Sequence, residues 1–98
     1  MAAYVIFIRE KIIDAEKLAE YRQSVGSTFK DHPVKLIAAN GPQKTLEGES
    51  VDDILILEFP SYEAASNWYN SPAYQEASKT RLQGASFQVY ITEGFAAK

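Results

Sequence analysis

The sequence has 98 residues, 46 % of them hydrophobic and 23 % charged, which is the composition of a folded globular chain rather than a disordered one. Ten Lys and Arg dispersed among thirteen Asp and Glu give a net charge of −3 and no basic stripe for phosphates, so a general nucleic-acid binder is excluded. Cysteine is absent, which excludes a disulfide framework, a thiolate metal site and a Cys nucleophile.

The elements follow in chain order. Tyr4–Ile8 is a β-branched and aromatic run and predicts strand one. Asp14 is a natural N-cap for a helix from Ala15 to about Asp31, whose Leu18, Val25 and Phe29 recur at helical spacing. Pro33 ends that helix, Val34–Ala39 predicts strand two, and Asn40-Gly41-Pro42 predicts a turn. Residues 43–51 are polar and read as a loop or irregular hairpin arm. Ile54–Phe59 predicts strand three, closed by Pro60. Ser61 caps a helix to about Tyr69; Ser71-Pro72 opens a fresh one to about Gln83, with Gly84 just past its end. Phe87–Glu93 predicts strand four, and Gly94–Lys98 a tail.

The order β-α-β-β-α-β predicts an α+β, ferredoxin-like fold with a four-stranded antiparallel sheet, formed as one domain over residues 1–98. Right-handed crossovers place strands one and three in the middle and strands two and four at the edges. Both middle strands are apolar on both faces, yet the helices can cover only one face. The other is expected to meet a second copy of the chain, making a homodimer. The start Met1-Ala2-Ala3-Tyr4 has no basic leader, and the apolar runs are too short to span a membrane, so a cytoplasmic protein without a membrane partner is expected.

Several residues are candidates for binding or chemistry. On a helical wheel Arg22 falls within the apolar stripe of the first helix, with Gly26 one turn later leaving room. Arg81 falls in the same way among Tyr74, Ala77 and Ser78. Two arginines aimed at the sheet suit a carboxylate, an enolate or a phosphate. The competing reading pairs them with Glu58, Glu93 or Glu47, or lets them reach the rim. Glu58 ends an apolar strand and is a candidate base, and Tyr21 is a candidate hydrogen-bond donor to a substrate. Tyr21, Trp68, Tyr69 and Tyr74 suit either an aromatic-ligand pocket or core filling. His32 stands alone, so no metal is expected. No GxGxxG, Walker or GxSxG pattern occurs, and no cofactor is expected.

Taken together, some segments carry a family pattern. They are Ala3-Tyr4-Val5-Ile6, Glu20-Tyr21-Arg22, Leu46-Glu47-Gly48, Glu58-Phe59-Pro60-Ser61-Tyr62-Glu63-Ala64-Ala65, Trp68-Tyr69-Asn70-Ser71-Pro72-Ala73-Tyr74 and Arg81. With them the chain resembles the uncharacterised family numbered 1330 among the domains of unknown function, within the dimeric α/β barrel superfamily. The resemblance implies the fold and the dimer. It also implies a pocket between sheet and helices, which the wider superfamily uses for cofactor-independent oxygenation, isomerisation, haem chemistry or simple binding. Tyr21, Arg22, Glu47, Gly48, Glu58, Trp68, Ser71, Tyr74 and Arg81 match the pattern. Ala39-Asn40-Gly41 and Glu49–Asp53 depart from it, lacking the usual arginine, tryptophan and basic residue. The expected function is binding of a small anionic or aromatic metabolite, with or without cofactor-free catalysis; the alternative is a non-catalytic dimeric module.

Overall fold

The computed structural model describes residues 1–95; the last three residues of the predicted tail, 96–98, lie outside the described residues. The elements run β1 (Ala3–Ile12), α1 (Ala15–Val25), a 3-10 turn (Gly26–Phe29), β2 (Lys35–Ala38), β3 (Asp53–Phe59), α2 (Tyr62–Tyr69), α3 (Pro72–Gly84) and β4 (Ala85–Glu93). The sheet is antiparallel with order β2-β3-β1-β4, the α+β arrangement read from the sequence.

Caps fix the helix starts. The Asp14 carboxylate accepts from the amides of Glu16 and Lys17, and the Ser61 hydroxyl from that of Ala64. Ser71 joins two helices, since its hydroxyl donates to the Trp68 carbonyl and accepts from the Tyr74 amide. Several boundaries differ from expectation. The first helix gives way after Val25 to a 3-10 turn, where Ser27 and Thr28 hydroxyls bond carbonyls three residues back and tighten the coil. Strand one continues four residues past Ile8, with a bulge between Arg9 and Lys11 opposite β4. Gly84 is the last residue of α3 rather than the one beyond it, and Ala85 is already extended.

The two faces of the sheet differ. Ala3, Val5 and Phe7 of β1, Leu57 and Phe59 of β3 and Ala85 of β4 are buried with Leu18, Trp68 and Tyr74 from the helices. Tyr4, Ile6, Ile8, Ile54, Ile56 and Glu58 point the other way and are only half-buried. Residues 40–50 are exposed throughout and form an arm beside the sheet, with Leu46 83 % exposed. Gly48 turns the arm at φ +92, and Gln43 Nε2 donates to the Val51 carbonyl across it. Among the described residues no helix is long and apolar enough to cross a membrane.

Candidate functional site

A cavity of about 220 Å³ lies between α1 and the helix-covered face of the sheet. Phe7 of β1, Leu55 and Leu57 of β3 and Phe87 of β4 form its floor. Leu18, Tyr21, Arg22 and Val25 of α1 form one wall, and Phe29 with Trp68 closes an end. Arg9, Leu36, Asn40 and Asp53 complete the lining. The walls are therefore mostly apolar and aromatic, with a few polar groups, the usual make-up of a small-molecule site.

Trp68 is fully buried behind this cavity. Its ring stacks on Phe29 at 5.1 Å and Phe59 at 5.5 Å and lies 4.2 Å from Tyr74, all between ring centroids. The indole N–H donates to Thr28 Oγ1 at 3.1 Å, and that hydroxyl donates to the Val25 carbonyl at 2.6 Å. The 3-10 turn thus places both a ring and a hydrogen-bond acceptor against Trp68.

Tyr21 reaches across the top of the core, its hydroxyl 3.0 Å from that of Tyr74. Burial pushes the pKa of both phenols above the ordinary tyrosine value, and their mutual proximity raises that of Tyr21 further. The Arg81 charge acts in the opposite direction on each. Tyr21 is therefore a neutral donor and not a base at physiological pH.

The two arginines take different positions. Arg81 is 3 % exposed, with its guanidinium carbon 4.9 Å from the Phe87 ring centroid and 5.7 Å from that of Phe7. Its Nε has no hydrogen-bond partner, and no carboxylate among the described residues pairs with it. The expected alternative, an ion pair with Glu58, Glu93 or Glu47, does not form. Arg81 stands behind the cavity wall and does not line it. Arg22 does line the cavity, but as an exposed residue at its rim, again without an ion pair among the described residues. The buried stripe of α1 is centred on Leu18, Tyr21 and Val25, so Arg22 lies one residue off it. The space at Gly26 is open, since a Cβ there would meet nothing within 4 Å, so a side chain at this position would fit without a clash.

Glu58 is not brought to Tyr21. It lies opposite Tyr4 and Lys35 in the strand registers and projects from the face away from the helices. There its hydrogen bond and negative charge hold the Tyr4 phenol above its ordinary pKa. Tyr74 is fully buried behind Tyr21, and Glu47 lies on the exposed arm; neither lines the cavity. Of the expected ligand-binding residues, the cavity wall contains Arg22 and Trp68, and Tyr21 joins them.

Sequence reasoning missed Arg9, Asn40 and Asp53. Arg9 and Asp53 are register partners in β1 and β3, on the same face as Phe7 and Leu55. Arg9 is held by the neighbouring Asp52 carboxylate, leaving Asp53 as the lining carboxylate without an ion pair among the described residues. Asn40 has φ +56, and its Asn-Gly turn signal was visible. No group of three or more His, Asp or Glu side chains converges among the described residues, and His32 stands apart from the cavity.

The fold has close counterparts among solved structures. A protein of unknown function from Rhodopseudomonas palustris superposes with a TM-score of 0.77 at 20 % identity, over 98 % of this chain and 84 % of that one. A dimeric ferredoxin-like protein of unknown function from Jannaschia gives 0.71 at 14 %, over 96 % and 100 %. A cofactor-independent oxygenase from Streptomyces nogalater, SnoaB, gives 0.62 at 8 %, over 98 % and 94 %. At these identities the likeness concerns the fold. No curated protein matches the sequence. A family profile does match, over residues 2–95, and it spans every strand and helix described above. The chain belongs to that family, described as a domain of unknown function (DUF1330).

Proposed function

We propose that this chain is a single-domain binding protein for a small aromatic or apolar anion, held between α1 and the sheet with its charge at Arg22. The observation that carries this reading is the aromatic-walled cavity with an unpaired guanidinium at its rim and a phenol in its wall. An apolar cavity of about 150 Å³ takes up benzene, so about 220 Å³ suits one ring with a short substituent. If the ligand is also turned over, Asp53 and not Glu58 is the carboxylate placed to take a proton.

The working form in this proposal is a homodimer joined through the open sheet faces. Half-buried Ile6, Ile8, Ile54 and Ile56 form an apolar patch there, and the Jannaschia neighbour is described as dimeric. A second reading, a dimeric module without a ligand, draws on how completely Trp68 and Tyr74 fill the core.

Trp68 is the only tryptophan and touches the cavity, so its fluorescence reports occupancy. Titration with benzoate is expected to give a saturable change, and neutral benzyl alcohol a weaker one. No saturable change with either compound would sink the binding reading and favour the second.

A further inference from the structure

Arg81 presents a problem that its own chain leaves unsolved. A guanidinium cannot shed its charge when buried. Here it is 3 % exposed, lacks a carboxylate among the described residues and leaves Nε unbonded. Its compensation comes from the faces of Phe7 and Phe87, and those two rings are also the cavity floor. The positive charge therefore packs on two rings that also line the space where a ligand would sit.

Tyr74 and Tyr21 connect that charge to the cavity. Both lie within reach of the Arg81 field. Their rings meet edge to face at 6.3 Å, and their hydroxyls are 3.0 Å apart. Either hydroxyl can donate to the other. When Tyr74 donates, the Tyr21 proton is free, and Tyr21 lines the cavity. An oxyanion in the cavity selects that direction, because it accepts a hydrogen bond from the Tyr21 hydroxyl and is stabilised by the positive charge of Arg81. A neutral hydroxyl gains little from the same arrangement.

We propose that Tyr74 and Arg81 are positioning residues that commit the Tyr21 hydroxyl to an oxyanion, so that the cavity takes hydroxylated aromatics and enols in their ionised form. This rests on the binding reading above and specifies the inner end of the ligand: one ring, with its acidic oxygen at Tyr21. The remaining charged groups that line the cavity are Arg22, Arg9 and Asp53, and Tyr69 packs on Tyr74 at 5.2 Å between centroids.

The test uses 4-nitrophenol, whose phenolate absorbs visibly and whose phenol does not. Bound to the protein, it is expected to ionise at least about one pH unit below the free compound, a roughly tenfold preference for the anion. Tyr21→Phe should still bind the probe but lose most of that shift. Tyr74→Phe and Arg81→Met should each lose part of it. If Arg81→Met fails to fold, Tyr74→Phe alone decides whether the support matters. Binding as the neutral phenol, or a full shift in Tyr21→Phe, overturns the proposal and leaves the pocket intact. A shift that persists in Tyr21→Phe and vanishes in Arg22→Ala places the anion at the rim and also overturns it. No binding of 4-nitrophenol at any pH, with Trp68 fluorescence unchanged, overturns both this proposal and the pocket reading beneath it.

Discussion

Gly84, the last residue of α3, lies against the backbone of Leu18 in α1: a Cβ built on Gly84 would stand 2.7 Å from the Leu18 nitrogen and 2.9 Å from its Cα. The same glycine offers its carbonyl to the amides of Ile13 and Asp14, at 2.8 and 2.9 Å. The crossing of the two helices is thus fixed at backbone distance. Gly84→Ala should push α1 and α3 apart and cost about 1–3 kcal/mol, read as a lower urea midpoint with an unchanged slope.

Thr28 is the sole hydrogen-bond partner of the Trp68 indole among the described residues. Thr28→Val keeps the shape but strands a buried N–H, and should cost about 1–3 kcal/mol in urea unfolding. Thr28→Ser retains the hydroxyl and should cost clearly less. A loss in Thr28→Ser as large as that in Thr28→Val would show that the methyl group contributes as much as the hydroxyl.

Arg22 is exposed and without an ion pair among the described residues, so removing it should not disturb the fold. Arg22→Ala should leave the unfolding midpoint within experimental error. It should weaken benzoate binding roughly tenfold, equivalent to about 1.4 kcal/mol, in the Trp68 fluorescence titration. A drop in stability with unaltered binding would reverse the assignment.

The two buried phenols make stability pH-dependent on the alkaline side. Their folded pKa values lie above the unfolded value of 10.0, so the folded chain retains protons that the unfolded chain releases. The contribution is therefore complete below about pH 10 and is lost as pH rises toward the folded values. Urea midpoints should fall progressively above about pH 10, and the fall should be shallower in Tyr21→Phe.

Ile6 and Ile56 face each other across β1 and β3 on the uncovered side of the sheet. Ile56→Lys should shift the protein from dimer to monomer by light scattering, while the circular dichroism of the fold persists. A monomeric wild-type protein would remove the dimer from the proposed function.

Much of the fold was legible because its signals are local. Asp14, Ser61 and Ser71-Pro72 mark helix starts by chemistry that acts within one turn. Strands one and three announced themselves as middle strands by being apolar on both faces. The same property concealed which parity meets the helices, and so concealed that Glu58 points away while Asp53 points in. The mouth of the cavity joins Arg9 to Asp53 through an antiparallel register, which no local pattern encodes. Arg22 was misplaced by a single step of the helical wheel, since the position of the sheet beneath α1 decides where its stripe is centred. Arg81 was correctly read as facing inward, yet its lack of a counter-charge became visible only in three dimensions.

The two-sided apolar character of β1 has a consequence for how the strand finds its place. Alternation ordinarily locks a strand, because a slip of one residue turns polar groups inward. In β1 such a slip would exchange Val5 and Phe7 for Tyr4 and Ile6, one greasy set for another, and would meet little resistance from the pattern. The register must be set at the strand's ends. At one end the Gly94 amide bonds the Ala2 carbonyl at 2.7 Å; at the other the Asp52 amide bonds the Arg9 carbonyl at 2.7 Å, next to the bulge. These few polar contacts work as stops on a strand that could otherwise slide, and errors at them would trap misaligned sheets with intact greasy surfaces.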